Sequence, residues 1–317
     1  MTDLDPANIT RADITAARQR IANDVRHTPL MRIAGQQLGI DCAELWLKLE
    51  HLQVSGSFKA RGMFNRMRAH PLPEAGVVIA SGGNAGIAVA VAAQAMGVRC
   101  EVFVPETSSQ AKRDRLVELG AVLTVRGAGY ADALAASLAR QAETGALLMH
   151  AYDQREVVIG AGTLAAEVEE DAGVPDRVLV SVGGGGLIAG IAAWFEDRCL
   201  IDALEPELAP TLHRAREAGK PVDVEVSGVA ADSLGARRIG NIAWQVTQRH
   251  VNAAHLIGDA AIRAAQKALW EELRLAVEPA AALPLAALTT AIVAPRRGER
   301  VLLVICGANL DLASLRL

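Results

Sequence analysis

The chain has 317 residues, 51% of them hydrophobic, 21% charged and only 3% aromatic, with a formal net charge of -4. That is long enough for two domains whose cores are built from Ala, Val, Leu and Ile, which suits a layered α/β protein. The absence of a basic cluster argues against nucleic acid, and Cys42, Cys100, Cys199 and Cys306, scattered without a CxxC pair, argue against zinc and a disulfide framework.

Thr10 can cap a helix to about Val25, with Ile14, Ala17, Ile21 and Val25 on one face. Leu30 to Ile33 reads as a short extended piece, and Glu44 to Glu50 alternates as a half-buried strand does. Ser55-Gly56-Ser57-Phe58-Lys59-Ala60-Arg61-Gly62 follows, a lysine between small residues at the start of a helix-compatible run. From Val77 the pattern repeats. Strands at Val77 to Ala80, Cys100 to Val104 and Val122 to Val125 alternate with helices at Ala85 to Met96, Gln110 to Leu119 and Tyr130 to Thr144. Gly97, Gly120 and Gly145 close those helices, and the alternation predicts parallel βαβ units.

A second set begins with a helix at about Ala165 to Ala172 and the strand Val178 to Val182. Gly183, Gly184, Gly185 and Gly186 then lead into a helix near Leu187, followed by a strand at Leu200 to Leu204. Between Pro206 and Asn252 only a helix over Leu208 to Ala218 is legible. Asp259 can cap a helix carrying Ile262, Ala265, Leu269 and Leu273, another helix spans about Ala280 to Val293, and Val301 to Ile305 is the closing strand. No linker separates the two sets, so we expect intertwined domains, 1–50 with 152–317 and 51–151. The apolar tract from Ile87 to Val98 is too short to span a bilayer, and Glu278, Pro279 and Pro284 interrupt the longer one from Ala276 to Ala294. The acidic start, Met1 to Asp5, lacks the character of a signal peptide. The expectation is a soluble cytoplasmic protein.

Ligands of open parallel sheets bind beyond the carboxyl ends of the strands. Four loops are expected there: Ser81 to Asn84, the four glycines, Gly228-Val229, and Cys306 to Asn309. Consecutive glycines before a helix bring bare N–H groups together at its N-terminus, which favours phosphate; a permissive turn needs only one glycine. No Gly-Lys-Ser/Thr follows, and no GxGxxG with a distal acid, so a nucleotide is the weaker choice. Ser81 to Asn84 offers N–H groups to a smaller anion such as a carboxylate, or is a polar turn. Cys306 at a strand end, taken alone, is more often a small buried hydrophobe than a ligand. A shielded lysine, a phosphate cup, a carboxylate cup and a soft polar group together suggest pyridoxal 5′-phosphate.

The chain resembles the fold-type II pyridoxal-phosphate enzymes, close to the serine/threonine dehydratases (threonine ammonia-lyases) and their serine racemase relatives. The resemblance rests on His27-Thr28-Pro29-Leu30, Ser55 to Gly62, Ser81 to Asn84, Gly160-Ala161-Gly162-Thr163, Gly183 to Leu187, Glu205-Pro206, Glu278-Pro279 and Cys306 to Asn309, in the family's order. It implies two intertwined open-sheet αβα domains of the tryptophan-synthase-β kind, an amino-acid substrate and a homodimer, with no regulatory domain after Leu317. By position, Lys59 resembles the Schiff-base lysine and Phe58 its flanking residue. Asn84 resembles the partner of the cofactor's 3′-hydroxyl, and Gly183 to Gly186 with Leu187 the phosphate loop. Glu278 is similar to a further cofactor-site residue, and Cys306 to the pyridine-nitrogen partner. Ser81, Gly82, Asn84 and Ala85 resemble the substrate-carboxylate site, with Lys59 and Ser81 as the catalytic pair.

Three departures qualify the resemblance. Ala85 stands where the family commonly has His, Gly82 where racemase relatives place a serine, and Thr211 where the divalent-cation site has a carboxylate, so no metal is expected. The implied activity is β-elimination of a β-hydroxy-α-amino acid such as threonine or serine to a 2-keto acid and ammonia. Alternatives are a dehydratase for a bulkier substrate (β-aryl or hydroxyaspartate-like), an amino-acid racemase, or a non-catalytic cofactor-binding protein.

Overall fold

The computed structural model describes residues 5–312; Met1 to Leu4, in the stretch read for a leader, lie outside them. The chain opens with helix α1 (Arg11–Arg20), where Thr10 and Asp13 form a reciprocal capping box. It stops well before Val25, and Ile21 to Asp24 continue as turns. Strands β1 (Leu30–Ala34) and β2 (Glu44–Lys48) pair antiparallel. Helix α2 (Lys59–Ala69) then leads to β3 (Val77–Ala80), α3 (Asn84–Met96), β4 (Cys100–Val104), α4 (Gln110–Glu118), β5 (Val122–Val125) and α5 (Tyr130–Thr144). A short strand, β6 (Leu147–Met149), was not legible in the sequence. These strands make a four-stranded parallel sheet in the order β5-β4-β3-β6.

Helix α6 (Arg155–Ala172) starts far earlier than Ala165. The chain continues through β7 (Arg177–Ser181), α7 (Gly186–Phe195), β8 (Leu200–Pro206), α8 (Thr211–Ala218), α9 (Asn241–His250) and β9 (Ala253–Ile257). It ends with α10 (Asp259–Leu273), α11 (Pro279–Thr289) and β10 (Arg300–Val304). Asp259 is the first helical residue, with Gly258 as the cap. Gly228 follows irregular chain, so that loop does not stand at a strand end. The six-stranded sheet has the order β1-β2-β10-β7-β8-β9, all parallel but for β1.

Its inner strands carry near-continuous buried Val, Leu and Ile because helices cover both faces. Between two of those helices the backbones cross closely: a Cβ on Gly162 of α6 would lie 2.7 Å from the Gly190 carbonyl of α7. Strands β2, β10 and β7 are neighbours, which sets the lysine loop, the Cys306 loop and the glycine loop side by side at their carboxyl ends. In the smaller sheet β3 neighbours β6, so Ser81 to Asn84 lies beside the segment that starts at His150. Among the described residues no helix is long and apolar enough to cross a membrane.

Candidate active site

Lys59 is the first residue of α2, and its Nζ donates to the Ala151 carbonyl at 2.6 Å. The Phe58 ring lies beside the amine, 4.9 Å from Nζ to centroid. Burial pushes the Lys59 pKa down from 10.5 to about 8, with the Glu278 carboxylate among the groups opposing it. Two residues on, Arg61 is fully buried between two carboxylates. It donates to Glu50 (2.8 Å) and Glu167 (2.6 and 2.8 Å), and Lys48 reaches the same Glu167 at 2.7 Å. Paired, hydrogen-bonded charges of this kind fix the lysine loop against α6.

Cys306 is buried at the end of β10, and its carbonyl accepts the Phe58 N–H at 3.0 Å. Burial, reinforced by Glu278, drives its thiol pKa far up, so the side chain is uncharged. Ser57 pairs with Gly307, and its fully buried hydroxyl has no hydrogen-bond partner among the described residues. Glu278 caps α11 with Pro279 following. Its carboxylate accepts from Asn84 Nδ2 (3.0 and 2.9 Å) and from the Asn309 N–H (2.7 Å). Burial raises the Glu278 pKa against those donors. Asn309 Nδ2 also reaches Asn84 Oδ1 (2.6 Å) and the Ser55 carbonyl (2.9 Å), which stitches the two sheets together.

Ser81, Gly82, Gly83 and Asn84 are partly exposed and end at α3, whose first-turn N–H groups have no partner within the helix. Ala85 differs: it is 4% exposed, in the apolar cluster with Met63, Val104 and Leu116. The four glycines form the turn between β7 and α7, with Gly185 at φ 84. Side chains would not fit. A Cβ on Gly184 would lie 2.3 Å from the Tyr152 ring, and one on Gly185 2.6 Å from Ile239. Thr211 donates to the Gly183 carbonyl, 2.5 Å away, and lies 3.0 Å from Glu205. Glu205 is fully buried and accepts the Leu212 and His213 N–H groups, both at 2.7 Å, so it caps α8. Burial pushes its pKa up to about 7 against those donors.

Thus Phe58, Lys59, Ser81, Asn84, the four glycines, Leu187, Glu278 and Cys306 fall at the facing carboxyl ends of the two sheets. The sequence reading missed His150, Tyr152, Thr211's hold on Gly183 and the side chain of Asn309. Tyr152 alone left a trace, as one of only two tyrosines in the chain.

The family model described as "Pyridoxal-phosphate dependent enzyme" matches residues 21–307. The chain belongs to that family. It is 34% identical to a phenylserine dehydratase of Ralstonia pickettii, covering 99% of this chain and 98% of that one. It is also 34% identical to an L-threonine ammonia-lyase of Geobacter sulfurreducens, over 95% of this chain and 76% of that one. Among solved structures, maize serine racemase superposes with a TM-score of 0.90 at 30% identity, covering 96% and 95% of the two chains.

The residues of this pyridoxal-phosphate dependent enzyme suit its cofactor. Bare glycine amides at a helix N-terminus are matched to a phosphate, an amine held near pKa 8 to an aldehyde, and an uncharged thiol to a ring nitrogen. Two positions before Lys59, the buried Ser57 hydroxyl without a partner among the described residues is a further polar group of the lysine loop.

Proposed function

We propose that the chain dehydrates and deaminates a β-hydroxy-α-amino acid to a 2-keto acid and ammonia. The observation that carries this is the Lys59 amine, lowered to about 8, on the strand-end loop beside those of the four glycines and Cys306. Pyridoxal phosphate, held by Lys59, the amides of Gly183 to Gly186 and Leu187, Phe58, Asn84, Glu278 and Cys306, supplies an electron sink for charge at the substrate's Cα.

The protein's own groups do the rest. Ser81, Gly82 and Asn84 with the first turn of α3 hold the substrate carboxylate, with Ala85 behind them. Lys59 takes the α-proton on Nζ, and about a tenth of it is neutral at pH 7 when its pKa is near 8. The Cα–H electron pair becomes the Cα–Cβ double bond as the β-hydroxyl departs as water, taking from Lys59 Nζ the proton lost from Cα. The resulting enamine tautomerises and is hydrolysed to the keto acid and ammonia. Cys306, uncharged, does not stabilise a positive ring nitrogen, so charge at Cα is short-lived and the β-group leaves promptly.

The substituent at Cβ is larger than a methyl. Alanine at 85 gives a small side chain behind the carboxylate loop, and likeness to a phenylserine dehydratase over nearly the whole chain supports an aryl group. The test compares kcat/KM for serine, threonine and phenylserine in wild type and Ala85→His. Phenylserine leads in wild type and falls most in the variant. If it is the poorest substrate and the ranking does not change, the size reading is wrong.

We further propose a large domain of 1–50 with 152–317, a small domain of 51–151, and a cytoplasmic homodimer. Placement of β3 to β6 entirely within 77–149 supports the first, and four unpaired cysteines support a reducing compartment. Sedimentation and limited proteolysis test the dimer and the boundaries.

A further inference from the structure

The five residues after β6, His150 to Gln154, touch both the Lys59 amine and the glycine loop, and their turn is built around one imidazole. His150 Nδ1 lies 2.9 Å from the Asp153 N–H and 3.3 Å from the Tyr152 N–H. Amide nitrogens always carry their hydrogen, so Nδ1 is the bare acceptor and a neutral ring bears its proton on Nε2. Wrapped this way, the turn aims the Ala151 carbonyl at Lys59 Nζ. It also stands the Tyr152 ring edge-on to the imidazole, centroids 4.6 Å apart, and against Gly184. The Asp153 carboxylate caps α9 through the Asn241 and Ile242 N–H groups, both at 3.0 Å, and Gln154 takes the His150 N–H at 2.8 Å.

We propose that His150 is a positioning residue: its neutral imidazole folds the turn that holds the Lys59 amine and keeps Tyr152 on the glycine loop. A proton on Nδ1 would face two N–H donors, so acid opens the turn and loosens both contacts. Lys59 and Arg66, on α2, oppose that proton, and Asp153 in the turn favours it. Glu156, on α6, is engaged with Arg66 at 2.7 Å. Burial acts in the same sense as Lys59 and Arg66, so the ring titrates below its ordinary 6.5.

The inference rests on the proposed cofactor site, and its test does not use turnover. Histidine-labelled protein is examined by 15N NMR, and pyridoxal phosphate affinity is titrated by fluorescence from about pH 8 down to about pH 5. His150→Asn places an amide oxygen where Nδ1 was and cannot titrate; His150→Leu keeps bulk and removes the acceptor. Expected are an Nε2-H tautomer and an affinity that falls with acid about tenfold further in wild type than in the Asn variant, beyond the fall that Lys59 ionisation gives both. The Asn variant keeps wild-type affinity near neutrality and shows only the shared fall, and the Leu variant is weaker than wild type by about tenfold or more near neutrality. An Nδ1-H tautomer overturns the proposal, as does an Asn variant whose affinity falls with acid as far as that of wild type. Should the Leu variant fail to fold, the Asn variant decides alone. A wild type that binds no pyridoxal phosphate sinks the site reading and the proposal together; one that binds it while the Leu variant binds equally well sinks only the role of His150.

Discussion

Lys59 and Ala151 are 92 positions apart in the chain, yet the lysine Nζ lies 2.6 Å from the alanine carbonyl. The contact joins the lysine loop that follows β2 to the turn that follows β6, one from each sheet. A carbonyl can hold the amine in either protonation state, so it orients Lys59 without fixing a charge on it. Burial then decides the charge, and lowers the pKa to about 8.

The first prediction follows from that shift. At pH 7 about a tenth of a pKa 8 amine is neutral, against on the order of one in three thousand for an exposed lysine. Neutral amine is the nucleophile, so covalent capture of pyridoxal phosphate rises with pH and levels off above about 8. Borohydride reduction and peptide mapping place the label on Lys59, and Lys59→Ala abolishes it. Label on Lys48, Lys112, Lys220 or Lys267 would end the reading.

Gly184→Ala separates the glycine cradle from an ordinary turn. Its new Cβ would lie 2.3 Å from the Tyr152 ring, whose hydroxyl donates to the Arg238 carbonyl at 3.3 Å. Displacing that ring costs on the order of 1–3 kcal/mol, and cofactor affinity falls by about tenfold or more. Gly129→Ala is the control, since nothing lies within 4 Å of the added carbon. A thermal melt and a cofactor titration of each variant check this. Equal behaviour of the two would show that Gly184 is not crowded.

Divalent cations have little effect on turnover. Both Glu205 oxygens are filled by N–H groups of α8, and Thr211 is neutral. The described residues contain no group of three His, Cys, Asp or Glu arranged to hold a metal. Activity after chelation, then after magnesium add-back, is expected to stay level; a large saturable activation contradicts this. Glu205→Ala, by contrast, leaves the cap unmade and loses about 1–3 kcal/mol of stability in a denaturant titration.

The sequence was most legible where a residue's own chemistry announces its surroundings. Four consecutive glycines, a lysine among small residues, and Val- and Leu-rich strands each have a local physical cause. The turn after β6 gave no such signal, because Ala151 acts through its carbonyl and β6 is only three residues long. Chain from Lys220 to Gly240 is irregular, with no hydrophobic period, which hid α9 and β9 beyond it. Glu205 was legible only as half of a Glu-Pro motif because its real partners, the first N–H groups of α8, depend on how that helix packs under the glycine loop. Ala85 is silent for a simpler reason, since alanine is equally at home in a core and behind a pocket wall.

The central claim is elimination from a β-hydroxy amino acid, and the direct measurement is product stoichiometry. Purified protein loaded with pyridoxal phosphate is given phenylserine, threonine or serine. Ammonia, 2-keto acid and both enantiomers of the remaining amino acid are then quantified over time. Ammonia and keto acid are expected in equal amounts, with the opposite enantiomer forming far more slowly because Gly82 offers no side-chain acid. Racemisation that outpaces ammonia release, or bound cofactor that no amino acid perturbs, would contradict the account.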